Sequence, residues 1–255
     1  MELTGITALV TGAASGLGGA TAGLLAERGV RVIGLDLAPA IERIDQARTG
    51  ITYVAGDVTD TAAVAGAIER ATDTPQAPLR LVVNCAGVGW AGRVLSKNGP
   101  HDLDLFRTVV GVNLVGTFNV MRLAAEAIAA TEPVDPSGQR GVVVNTASVA
   151  AFEGQIGQIA YSASKGGVHA MTVPAARDLA QWGIRVNTIA PGIVDTPMLA
   201  GVAAEFRQNL AAEVPFPRRL ADPREYALLV TMIAEHDYLN GETIRMDGAL
   251  RMAPR

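Results

Sequence analysis

Seven short runs of β-branched and other apolar residues recur at 7–11, 31–36, 51–55, 81–84, 142–146, 184–190 and 243–246. Longer stretches with helical spacing fill the gaps, near 17–28, 62–72, 103–130, 157–182 and 223–234. This alternation constrains the chain more than any other feature, because strand, helix and strand in succession read as βαβ units with parallel strands. Each run is almost wholly apolar, as strands covered by helices on both faces are. No Gly/Ser/Pro linker or internal repeat divides the 255 residues, so one domain with a sizeable core is expected. The expected fold is α/β, a doubly wound Rossmann fold whose seven-stranded, mostly parallel sheet carries helices on both faces. Its cofactor-binding part would span about 1–145 and its catalytic and substrate part about 146–255. Pro174 falls inside the 157–182 pattern, where a missing amide donor predicts a kink or local loosening.

Charge and composition exclude several functions. A formal charge of −4 with 18% charged residues offers no basic excess to draw the protein to nucleic acid or anionic lipid. Gly, Pro or a charge interrupts every apolar stretch, so no membrane span is expected. The N-terminal residues carry no signal or transit pattern, which points to the cytoplasm. The single cysteine, Cys85, precludes an intramolecular disulfide. His101, His169 and His236 lack ligand spacing; no metal is expected, and at least two should be solvated. Asp102 and Asp104 precede a helical pattern and read as capping acids.

Between the first run and the first helix lie Thr11, Gly12, Ala13, Ala14, Ser15, Gly16, Leu17 and Gly18. Glycines at these spacings permit a tight turn, close backbone approach to a pyrophosphate and close helix packing, while the helix N-terminus supplies positive potential. Asp36 ends the second run, where a carboxylate accepts hydrogen bonds from the adenosine ribose and repels a 2′-phosphate. No basic residue follows it immediately and Ala14 leaves the loop uncharged, so NAD is expected rather than NADP.

Only two of the 21 basic residues are lysines, Lys97 and Lys165. Lys165 stands four residues after Tyr161, hence on the same helical face. An ammonium beside a phenol favours the phenolate and lowers its pKa, so the pair can exchange a proton with an alcohol or a carbonyl. Ser148 ends the fifth run at the carboxyl edge of the sheet, where open α/β folds bind ligands, and can hydrogen-bond the substrate oxygen. Cys85 reads as a small buried thiol rather than a nucleophile, and Arg218 and Arg219 as a solvated turn.

Residues 11–18, then Asn84, Cys85, Ala86 and Gly87, then Asn113, Ser148, Tyr161, Lys165, Pro191 and Gly192 together resemble the short-chain dehydrogenase/reductase family over nearly the whole chain. The resemblance implies that Tyr161 is the acid/base, Ser148 polarises the substrate oxygen, Lys165 holds the nicotinamide ribose, and Asn113 anchors a water in a proton relay. It further implies adenine contacts from Asp57 and Val58, nicotinamide contacts from Val194 and Thr196, substrate contacts from Ser148, Gln155 and Tyr161, and a homotetramer packed through the long helices.

Residues 138–141, 145–158, 161–167, 214–217 and 240–248 carry a narrower resemblance, closest to the type-2 3-hydroxyacyl-CoA dehydrogenase branch, whose members also oxidise hydroxysteroids. The expected substrate is therefore an acyl-CoA, with hydroxysteroids, small alcohols or a cofactor-binding scaffold role as alternatives. Val194 to Leu199 depart from that branch in size and by the acid Asp195. Two further segments bear on substrate. Residues 88–101 form a long connection holding Arg93 and Lys97, and long connections are functional or disordered. Residues 193–216 carry Met198, Leu199, Val202, Phe206, Leu210 and Phe216, apolar groups suited to cover an acyl chain.

Overall fold

A computed structural model describes residues 1–44, 49–199 and 204–254. The strands are β1 (Thr7–Thr11), β2 (Arg31–Asp36), β3 (Ile51–Ala55), β4 (Leu79–Asn84), β5 (Leu95–Ser96), β6 (Gly99–Pro100), β7 (Gly141–Thr146), β8 (Ile184–Pro191) and β9 (Thr243–Met246). The helices are α1 (Gly16–Glu27), α2 (Ala38–Ile41), α3 (Thr61–Thr72), α4 (Leu103–Val110), α5 (Thr117–Ala129), α6 (Ile159–Ala180), α7 (Ala204–Ala212) and α8 (Pro223–Glu235). Seven strands form one sheet in the order β3-β2-β1-β4-β7-β8-β9. All of its pairings are parallel rather than mostly so.

The apolar runs are explained by what covers them. Alternate residues of a strand face opposite sides. Leu81, Val83, Val142 and Val144 join Leu25 of α1 and Tyr226, Val230 and Ile233 of α8 in one core. Val82 and Val143 join Val64 and Ile68 of α3 and Val120 and Ile128 of α5 in the other. Each large side chain so buried contributes about 1.5–3 kcal/mol. Chain order reverses between β1 and β4, the switch point at which the carboxyl ends of such a sheet leave a crevice.

Several expectations change. The 103–130 pattern is not one uniform α-helix, because residues Gly111–Gly116 form a π-helical turn between α4 and α5. Conversely, α6 runs unbroken through Pro174. Leu103–Ala129 is, among the described residues, the one stretch whose length and mean hydropathy of 1.3 would suffice for a membrane span, although Asp104, Arg107, Gly111, Gly116, Arg122 and Glu126 interrupt it. Half of it is buried within this protein, which a core helix requires. The 88–101 connection contains the β5–β6 hairpin. Val202 and the side chains of Met198 and Phe206 lie outside the described residues.

Candidate active site

The glycine loop is built against the end of β4. Thr11 Oγ1 accepts from the amides of Cys85 and Ala86, both at 3.1 Å. Gly12 has φ +66°, and a Cβ there would lie 2.9 Å from the Ala86 amide nitrogen. At Gly18 a Cβ would lie 2.2 Å from the Gly12 carbonyl oxygen, so any side chain would push α1 off the loop. Asp60, Asp102 and Asp222 cap α3, α4 and α8 with their side chains, whereas Ser15 makes no such bond at α1. The Ser15 side chain thus leaves the start of α1 uncapped, which suits an anion there, while the Gly19 amide is bonded to Ser15 O at 2.8 Å. Asp36 lies beside them, its Oδ2 accepting from Ala14 N at 2.9 Å and its Oδ1 from Leu37 N at 2.8 Å.

Other expected cofactor residues line the same edge. Asp57 accepts from the Thr59 amide and hydroxyl, each at 2.8 Å, and Val58 is buried with its carbonyl bound to Asn119 at 2.9 Å. Asn84 and Asn145 join across β4 and β7 at 2.9 Å, leaving Asn84 Oδ1 buried without a partner. Gly192 follows Pro191 at the end of β8 and bonds to Met246. Val194 bridges to Ala221, and Thr196 comes against Gly16.

Ser148, Tyr161, Lys165 and Asn113 converge beside this cradle. Ser148 caps the short 3₁₀ turn Val149–Ala151 and accepts from Ala150 N at 3.1 Å. Lys165, only 4% exposed, donates to the Thr146 carbonyl at 2.7 Å and stands 5.9 Å from the Tyr161 ring centroid. Asn113 sits in the π-turn, a local irregularity common at functional sites. Its side chain brackets the Val88 backbone, accepting from N at 2.8 Å and donating to O at 2.9 Å, and also donates to Ser164 Oγ at 3.0 Å. Ser164 in turn donates to the Tyr161 carbonyl at 2.8 Å. Asn113 thus ties the β4 end to the helix bearing Tyr161, and its carbonyl already accepts from Thr117.

The electrostatics differ from the sequence-based expectation. Burial pushes the Tyr161 phenol above its ordinary value, a Ser148 hydrogen bond opposing it. Burial outweighs any lowering from the neighbouring ammonium, and desolvation brings the pKa of Lys165, which donates to the Thr146 carbonyl, down to about 8. Burial also pushes the Cys85 thiol up, which suits an inert thiol.

Two supporting residues were not legible in the sequence. Tyr226 of α8 is fully buried, with its hydroxyl 2.7 Å from Thr146 Oγ1 and 3.6 Å from Cys85 Sγ. Thr146 Oγ1 donates to Asn84 O at 2.6 Å, so Tyr226 donates to Thr146, whose carbonyl holds Lys165. No local motif announces a tyrosine that acts from another helix, and Ser164 lies unmarked between Tyr161 and Lys165.

Of the remaining expectations, Gln155 is half-buried with its side chain donating to Ala253 O at 3.1 Å. Arg93 and Lys97 are exposed on the hairpin connection, which is tied to the 152–158 loop by Gly92 N donating to Gly157 O at 2.7 Å. His101 and His169 are half-buried rather than solvated, bonded to Asp102 O and Thr243 Oγ1. Arg218 and Arg219 are exposed in a turn, as expected, and Arg219 makes a surface pair with Glu225 at 2.7 and 2.8 Å. A cavity of about 770 Å³ opens beside α7, lined by Asp195, Arg207, Arg218 and Asp222 among others. Its lining does not include Ser148, Tyr161 or Lys165, which cluster elsewhere.

Residues 6–206 match the short chain dehydrogenase family profile. The chain is 50% identical to 3-hydroxyacyl-CoA dehydrogenase type-2 of Bos taurus, covering 99% of this chain and 98% of that one. It is 52% identical to the protein of the same name in Drosophila melanogaster, covering 96% and 97%. The crystal structure of 3-hydroxyacyl-CoA dehydrogenase type-2 from Mycobacterium avium superposes with a TM-score of 0.92 at 43% identity, over 98% of each chain.

Proposed function

The chain belongs to the short chain dehydrogenase family, and from that premise we propose that it is an NAD-dependent dehydrogenase interconverting a 3-hydroxyacyl-CoA and a 3-ketoacyl-CoA. The observation that carries the reading is the meeting of Ser148, Tyr161 and Lys165 at the carboxyl edge of the sheet, beside a glycine cradle with an uncapped helix start. NAD, when bound, accepts or supplies the hydride. The uncapped amides of α1 and the Gly12 and Gly18 positions fit its pyrophosphate, and Asp36 fits its adenosine ribose. Ser148 hydrogen-bonds the substrate oxygen. Tyr161 takes the hydroxyl proton as the alcohol becomes a ketone, or returns it during reduction. Lys165 holds the ribose and keeps a positive charge near the phenol.

Cofactor preference tests the Asp36 assignment. NAD is expected to exceed NADP in kcat/KM by at least about tenfold, because a 2′-phosphate would face a carboxylate. Asp36→Ala should narrow that ratio, and equal use of both cofactors by the wild type would overturn it.

The acyl-CoA assignment draws on the type-2 relatives and on the exposed Arg93 and Lys97 beside the 152–158 loop. A short 3-ketoacyl-CoA should be reduced with higher kcat/KM than the same keto acid without CoA. Replacing residues 93–99 by a short turn should raise KM for the CoA ester more than it lowers kcat, because remote phosphate contacts supply uniform binding. Equal efficiency toward free keto acids or steroids would leave a secondary-alcohol dehydrogenase of other specificity.

A further inference from the structure

The stretch between Ser148 and Tyr161 is braced at its middle by residues almost a hundred positions later. Beyond β9 the chain turns at Gly248 and Ala249, both with positive φ, and returns alongside residues 152–158. The Ile156 amide donates to Pro254 O at 3.0 Å, and the Gln155 side chain donates to Ala253 O at 3.1 Å. An ionic group anchors this return. Arg245 donates to Glu153 at 3.1 Å, to Asp247 at 2.6 Å and to Leu250 O at 3.0 Å, and its guanidinium lies 5.0 Å from the Phe152 ring centroid. Arg251 adds a bond to Asp247 at 3.2 Å. On the far side of the loop Gly157 O accepts from Gly92 N. None of these bonds touches the glycine cradle or Asp36.

We infer that residues 251–254 are a positioning element for the reaction: by holding the 152–158 loop they orient the Gln155 amide and set the placement of Ser148 relative to Tyr161. This rests on the reading of Ser148 and Tyr161 as the reacting groups. The Gln155 NH₂ group is turned to Ala253, while its Oε1 accepts from Gln158 Nε2 at 3.5 Å, so both ends of the amide are held. The Ile156 amide, midway between Ser148 and Tyr161, is fixed in the same step. Displacements of about 1 Å in such groups cost as much as about 10²-fold in rate.

A chain ending at Met252 lacks both accepting carbonyls. Its kcat/KM for ketone reduction is expected to fall by about tenfold or more, with NAD affinity, measured by calorimetry, within about twofold of wild type. Amide exchange at 155–158 should accelerate while that of β1 and β4 does not. Glu153→Gln retains the segment but weakens its anchor, and should shift kcat/KM and exchange in the same direction by a smaller factor. It also decides the matter alone if the shortened chain does not fold. Unchanged kcat/KM in an active, folded variant, or NAD affinity falling in step with kcat/KM, would overturn the proposal. A wild-type protein that turns over no secondary alcohol would instead remove the reading beneath it, and the proposal with it.

Discussion

Replacing Tyr161 by Phe is expected to lower kcat by about 10²-fold or more in both directions while NAD binds as before. The substitution removes one oxygen and its exchangeable proton and leaves the ring beside Lys165. A drop in kcat without loss of cofactor affinity therefore reports proton transfer rather than folding. The pH dependence gives a second check on the same group. Burial holds the phenol protonated above its ordinary value, so the base form is scarce at neutral pH and grows about tenfold per pH unit below its pKa. Alcohol oxidation by the wild type should thus climb with pH through the neutral range. Ketone reduction, which uses the protonated phenol, should stay flat there and fall only at alkaline pH. A Phe variant with near wild-type turnover, or reduction that rises with pH, would remove Tyr161 from the proton path.

Lys165→Met should fail differently, losing about 10²-fold or more in kcat/KM together with a higher Kd for NAD, because the ammonium serves both cofactor and phenol. Stability should not follow activity. Desolvation lowers the lysine to about 8 in the folded chain, from an ordinary 10.5. Below about pH 8 both states carry the charge, and the cost of burying it is present in full. Between about 8 and 10.5 the unfolded chain holds a proton that the folded chain has released, so this group adds stability as pH rises. The Tm difference between wild type and Lys165→Met should therefore move in favour of the wild type from pH 7 to pH 10. A constant difference would mean that Lys165 is not buried as a charge.

The parallel sheet and the position of Tyr161 were legible because each is written in local spacing. Short runs rich in β-branched and apolar residues mark buried strands, and an interval of four places Tyr161 and Lys165 on one helical face. The glycine pattern was legible for a related reason. Gly12 and Gly18 stand where backbone from the same few residues, or from the end of β4, leaves no room for a Cβ. The interrupted helix was not. An apolar period of 3.6 is hardly altered by one π-turn, so the spacing shows no break at Asn113, although the turn is where its amide reaches Val88 and Ser164.

What the sequence determined by itself is the order of the seven main strands, the glycine cradle, the acid of β2 and the four-residue spacing of Tyr161 and Lys165, because all are set by neighbours within a few positions. Only the tertiary structure decided the rest. Tyr226 supports Thr146 from 80 residues away, and Ala253 holds Gln155 from 98. The direction of the Tyr161 shift likewise depends on how much of the folded protein covers the phenol. Spacing along a chain reports which groups share a face, whereas burial and long-range hydrogen bonds are sums over everything packed around them, and those sums exist only once the chain has closed on itself.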